Sequence, residues 1–100
     1  MNIHYTPELL EYMRKKNNHT ILVELVEINN TDLEVTDLHV YLPHSRQKEK
    51  FLQEKRYRTI TTEVGDVLLP PYPLQIEEDV TFGLKKFLCF TSLSHTGIKI

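Results

Sequence analysis

The chain has 100 residues, 40% of them hydrophobic and 26% charged, and a formal net charge of -2. That length fits one domain with a single core and fits two poorly, and four Phe, five Tyr and many β-branched residues exclude a disordered chain. The small net charge offers no global field to a polyanion or a membrane, and apolar runs stop far short of the roughly 20 residues a spanning helix needs.

From Met1 to Tyr5 no basic stretch leads into an apolar core, so no signal peptide is expected. Thr6-Pro7-Glu8 then supplies a capping hydroxyl, a proline suited to the first helical position and an acid for the first turn. With Leu9, Leu10 and Met13 on one face and Lys15, Lys16 and Asn17 at the far end, this predicts a helix over residues 7–16. Thr20 to Ile28 is rich in β-branched and aliphatic residues and reads as a strand buried along its first half. Asn29-Asn30-Thr31-Asp32 is a turn cluster. Leu33 to Leu42 follows as a second strand, with Leu38, Val40 and Leu42 on one face, and Pro43 ends it.

Residues 44–58 read equally well as a short exposed helix or a mobile loop. Arg58 to Val64 is strand-like, and Gly65-Asp66 predicts a two-residue hairpin turn in which glycine supplies a positive φ. Val67-Leu68-Leu69 is the returning arm, and Pro70-Pro71-Tyr72-Pro73 a stiff extended link. Val80 to Phe90 predicts the last long strand, with Val80, Phe82, Leu84, Leu88 and Phe90 alternating on one face and Gly83 marking a bulge or bend. Ser94 to Gly97 is read as a turn and Ile98 to Ile100 as a short edge strand. The expected fold is α+β, mainly β: one N-terminal helix packed on a small sheet or barrel of five to seven strands, a single domain over residues 1–100.

Chemistry is sparse. Cys89 is the only cysteine, so no intramolecular disulfide forms, which suits a reducing compartment and a cytoplasmic protein. It stands among Phe87, Leu88 and Phe90, where burial would raise a thiol's pKa and leave it inert. Of five histidines only His39 and His44 are close in sequence; with Cys89 they are the candidate metal ligands, but a strand followed by a loop does not make them converge. Glu77-Glu78-Asp79 reads as a solvated turn. No nucleophile motif or phosphate loop is present, so neither an enzyme nor a cofactor is expected. The one electrostatic feature is residues 44–58, with six of the chain's twelve Lys and Arg against two acids. Arg46, Lys48, Lys50, Lys55, Arg56 and Arg58 are the candidate partner-binding residues. Glu49, Glu54 and the acidic remainder disfavour nucleic acid relative to an acidic protein or the acidic half of a second copy, and a plain solvated helix or loop is the leading reading of the segment.

The order of segments carries a family resemblance. MNIHYTPELLEYMRKK leads directly into TILVELVEI, and the chain closes with ITTEVGDVLL, LKKFLCF and HTGIKI. This resembles the HesB-like domain of A-type iron–sulfur cluster carriers. It is similar above all to small bacterial relatives with a Cys-Cys or Cys-selenocysteine pair after the first strand. The resemblance implies the scaffold, but not its site. Where ligand cysteines stand in the family this chain reads Asn29 to Asp32 and Ser94 to Ile98, neither with a cysteine. A degenerate, non-enzymatic member is expected, acting through a protein partner or as a homo-oligomer, with no membrane partner. Two alternatives stay open: an acidic-partner or nucleic-acid binder using residues 46–58, and a metal or cluster carrier assembled only in an oligomer.

Overall fold

The two most apolar runs of the chain, Ile21-Leu22-Val23 and Val67-Leu68-Leu69, lie side by side as parallel strands. The computed structural model describes residues 1–30 and 33–100, with side chains outside 27–36. In chain order the elements are β1 (Asn2–Tyr5), α1 (Pro7–Lys16), β2 (Thr20–Asn30), β3 (Leu33–Tyr41), α2 (Ser45–Gln53), β4 (Arg58–Thr61), β5 (Asp66–Leu69), β6 (Gln75–Phe87) and β7 (Phe90–Lys99). The strands form a three-stranded sheet, β1-β6-β7, and a four-stranded sheet, β3-β2-β5-β4. The fold is therefore α+β and mainly β, with seven strands and a second helix among the described residues.

The parallel β2–β5 pair explains the layering. Ile21 stands opposite Val67 and Leu22 opposite Leu68. Continuous apolar runs suit strands covered on both faces, because alternation would leave polar side chains in one of the two layers. One face carries Ile21, Val23, Val67 and Leu69 into the main core, where they meet Leu9 and Met13 of α1, Val80 and Phe82 of β6, and Ile98 of β7. The other carries Leu22 and Leu68 into a smaller cluster with Phe51 and Tyr57, which α2 and the segment after it lay over the sheet.

Helix α1 has the predicted bounds. Thr6 caps it by accepting from the Leu9 N–H, and Asn17 ends it in the left-handed region, its N–H bonding the Arg14 carbonyl while Asn18 bonds that of Met13. Helix α2 resolves the ambiguity of residues 44–58 in favour of a helix, and its inner face is buried. Phe51 is 4% exposed and stacks edge-on against Tyr57, ring centroids 4.8 Å apart.

Other expectations change. β1 was not foreseen; it pairs parallel with β6, and its exposed end is tied by Asn2 and His4 side chains to Asp79. The hydrogen bond from His4, then that from Asn2, holds the Asp79 carboxyl below its ordinary pKa. The long strand predicted to Phe90 stops at Phe87, and Ser94 to Gly97, read as a turn, lies inside β7. The irregularity in this pair falls between Ile76 and Thr81 of β6, opposite Gly97, while Gly83 stays in register with Ser94. Gly97 has φ of 89°, and a Cβ there would lie 2.3 Å from the Asp79 carbonyl oxygen. Asn29 and Asn30 belong to β2, and Thr31 and Asp32, also assigned to a turn, lie outside the described residues.

The β4–β5 hairpin forms, but its turn is residues 62–65 and not the expected Gly65-Asp66, because β4 ends at Thr61 and Asp66 already pairs with it, and Gly65 has no positive φ. Thr62 organises the turn: its hydroxyl donates to the Gly65 carbonyl and accepts from the Val64 and Gly65 N–H groups. Glycine is required at 65 because the chain before β2 crosses there; a Cβ would lie 1.8 Å from the His19 carbonyl oxygen. That carbonyl accepts from the Asp66 N–H at 3.1 Å. Gly65→Ala is expected to destabilise the protein by about 2–3 kcal/mol by forcing these strands apart, read as a lowered urea midpoint.

Three tyrosines pin elements together, Tyr5 and Tyr41 from half-buried positions and Tyr57 from a buried one. Tyr5 shares a 2.9 Å hydrogen bond with Thr62, Tyr57 accepts from the Leu25 N–H, and Tyr41 donates to Glu24 at 2.8 Å. Burial raises all three phenol pKa values, and the bond to the Glu24 carboxylate adds to it at Tyr41. Above about pH 10 the unfolded chain loses phenol protons that the folded chain keeps, so stability is full below that pH and falls as it rises. Denaturant midpoints should decline steadily from about pH 10 upward, and less steeply in Tyr41→Phe.

Candidate docking hairpin

The residues singled out from sequence do not assemble into one centre. His44 is the N-cap of α2: its side chain accepts from the Gln47 N–H through Nδ1, and the Gln47 side chain accepts from the His44 N–H. A histidine completing this reciprocal cap already uses its Nδ1 within the fold. His39 lies on β3, its side chain 52% exposed and 3.8 Å from Asp37. Among the described residues no three His, Cys, Asp or Glu side chains come together in a metal-binding geometry.

The basic segment is divided. Lys48 bonds to Asp66 at 3.3 Å and ties α2 to β5. Lys55 sits over the Phe51 ring, 4.6 Å from its centroid. Arg46 and Lys50 line a shallow depression on α2 together with Glu49 and Glu54. Only Lys55, Arg56 and Arg58 approach an aromatic surface, in adjoining clefts against Pro71 and Tyr72. Arg56 takes a left-handed φ of 55° where the chain leaves α2, and Tyr72 is 57% exposed.

Cys89 corrects the sequence reading most sharply. It is exposed, in a two-residue turn with Leu88 between β6 and β7, and not buried within an apolar strand. The two arms stay in register to the end, pairing Lys85 with Ser92, Lys86 with Thr91 and Phe87 with Phe90. All residues from Lys85 to Ser92 are exposed, so the hairpin projects beyond the last pair that touches the core, Leu84 and Leu93. Its tip carries Phe87 at 72%, Leu88 at 87% and Phe90 at 70% exposure.

Neither the core nor the turn accounts for these residues. Large apolar side chains gathered on a projecting tip mark interaction surfaces. Leu88 also has φ of 55°. Turns of this length place Gly, Asn or Asp at positive φ, because a side chain there crowds the backbone by roughly 1 kcal/mol. Leucine at this position is disfavoured both by conformation and by exposure, and such departures cluster where a protein binds something.

Beside the hairpin runs a groove of about 280 Å³, lined by Glu8, Glu11, Tyr12 and Lys15 of α1 and by Leu84, Lys86 and Thr91. It is smaller than ordinary small-molecule sites and sized for side chains. Glu11 is bound to Arg14, whose guanidinium holds its carboxyl below the usual range. Glu8, Lys85 and Lys86 make no ion pair among the described residues.

Comparison with family models, with curated proteins and with solved structures finds no match, so the hairpin is read from its own geometry. No described helix is long and apolar enough to cross a membrane. The exposed tip was hidden in the sequence because its residues continue an apolar alternation with no turn former among them. Leu88→Gly is expected to raise the denaturation midpoint, by about 1 kcal/mol at most, because it relieves the turn and uncovers nothing buried; a loss of stability would mean that Leu88 serves the fold.

Proposed function

We propose that this chain is a non-enzymatic docking protein, a HesB-like scaffold without a cluster site, that engages a protein partner through the β6–β7 hairpin. The observation that carries the reading is the set of three large apolar side chains, 70–87% exposed, on a tip projecting beyond the core. Supporting it, His44 serves as a helix cap, Lys48 is held in an ion pair and Lys55 lies over a ring within the fold. The scaffold assignment rests on the segment order that resembles the HesB-like domain. A cytoplasmic setting rests on the single free thiol. An apolar tip supplies affinity through desolvation, and the lysines behind it supply orientation and approach rate.

A second reading is favoured by the cleft where Lys55 and Arg56, beside Glu54, meet Tyr57, Pro71 and Tyr72. Its cations make no salt bridge to a described carboxylate, and an acidic protein segment would find both charge and aromatic surface there.

One experiment addresses both. A photoreactive residue is placed at Leu88, at Tyr72 or, as an exposed control, at Lys99, and each protein is irradiated in extract of the source organism. The docking reading predicts discrete protein adducts from position 88 that disappear with Phe87→Ser and Phe90→Ser, and none from position 99. Adducts from position 72 alone favour the cleft, and no discrete adduct from position 88 overturns the hairpin reading.

A further inference from the structure

We infer that the cleft between the end of α2 and Pro71-Tyr72 binds a free nucleotide, its base stacked on Tyr72 and its phosphate held by Arg56 and Arg58. The site is separate from the hairpin, and its occupant differs from the acidic segment considered for the same cleft. The cleft holds about 570 Å³, within the range of small-molecule sites, whereas the groove beside the hairpin falls below it. Buried Tyr57 and half-buried Leu25 supply its apolar lining. An adjoining cleft is lined by Arg58, Pro71, Tyr72 and Pro73. Pro71 and Tyr72 line both, so the cations of the two clefts border one exposed ring.

The fold fixes Arg56 in place. The Lys55 N–H donates to the Lys50 carbonyl, the Tyr57 N–H donates to the Phe51 carbonyl, and the Tyr57 phenol accepts from the Leu25 N–H. Between these points Arg56 takes its left-handed φ of 55°, a conformation that helix ends usually give to glycine because a Cβ crowds the backbone there. A cation kept at a glycine's position, on the wall of a cleft, is a departure of the kind that gathers at binding sites.

Three features select a nucleotide among anions. Tyr72, 57% exposed, offers a stacking face that a carboxylate leaves unused and a planar base covers. The guanidinium forks of Arg56 and Arg58 match the geometry of a phosphate, and neither makes an ion pair among the described residues. Glu54 lines the same cleft; its carboxylate repels an acidic segment but is the acceptor that a ribose hydroxyl or a base amino group needs. A nucleic-acid strand would run on past the cleft over a chain whose 14 acids outnumber its 12 Lys and Arg, against its charge. A single nucleotide stays within the cleft.

The test is a titration of the full, isotopically labelled chain with ADP, GDP, CDP and UDP, followed by nuclear magnetic resonance. At least one is expected to bind with a Kd below about 1 mM and to move the amide signals of Arg56, Tyr57 and Tyr72. Tyr72→Ala is expected to weaken that binding by about tenfold or more, while Tyr72→Phe stays close to the wild type. Arg56→Gly removes the phosphate contact and relieves the backbone, so binding should fall by about tenfold at an unchanged or higher denaturation midpoint. Phe87→Ser/Phe90→Ser should titrate like the wild type, because the hairpin is not part of the site. No saturable shift at these residues with any of the diphosphates would overturn the assignment. So would a nucleoside that binds as tightly as its diphosphate, or pyrophosphate that does, since either would make one half of the ligand dispensable. Hexaglutamate binding more tightly than every nucleotide would overturn it in favour of the acidic segment, and oligo(dT) doing so would overturn it in favour of a nucleic-acid strand.

Discussion

The structure depends on a parallel pair of short strands, β2 and β5, that must be covered on both faces. Parallel strands cannot be joined by a tight turn; they need a crossover long enough to return the chain to the same end of the sheet. Here the crossover contains β3, α2 and β4, and its helix covers the second face. The need to bury Leu22 and Leu68 explains why a segment as polar as residues 44–58 folds. Its two apolar positions, Phe51 and Leu52, with Tyr57 after them, supply the layer these leucines require. Lys48 and Lys55 are drawn into the same task, one bonded to Asp66 and the other lying over Phe51. A patch that is basic by composition is thus partly consumed by the fold.

The opposite face of the pair sets the limits of the β6–β7 hairpin. Val80 and Phe82 reach the main core, Leu84 and Leu93 rest at its edge, and beyond them no apolar layer remains for the arms to cover. A hairpin serving only the sheet would close near that point. This one continues through further paired residues and ends in large apolar side chains. Main-chain pairing holds the extension straight, so the tip is presented by a ladder of hydrogen bonds and not by a loose loop.

Local signals were legible in the sequence and non-local ones were not. Helix α1 is written in adjacent residues, a capping threonine, a proline at the first position and an asparagine able to take left-handed φ, and its bounds follow from them. The apolar runs of β2 and β5 were equally readable as strands, although their parallel pairing was not. β1 was missed because it has little pattern of its own and exists by pairing with β6. The tip was missed for a different reason. Val80, Phe82 and Leu84 alternate with Leu88 and Phe90 in number, but a two-residue turn reverses the parity. Phe90 faces the side of Phe87, away from the side of Val80 and Phe82. The alternation that implied one buried face is the feature that, folded back at Leu88, puts an apolar tip in water. Cys89 was misplaced with it.

That reversal also explains why the site cannot be recognised by composition. Residues that agree with their surroundings at every level specify a fold, and disagreement is informative. Leu88 disagrees twice, by backbone and by exposure, and Phe87 and Phe90 once each. His44 and Lys48, which drew attention by residue type, agree with theirs as a helix cap and an ion pair. The residues proposed to dock are therefore those whose chemistry looked most ordinary in sequence. They offer shape and dehydration, with Lys85 and Lys86 at the base of the tip and, beside it, a groove lined by both acids, Glu8 and Glu11, and lysines, Lys15 and Lys86.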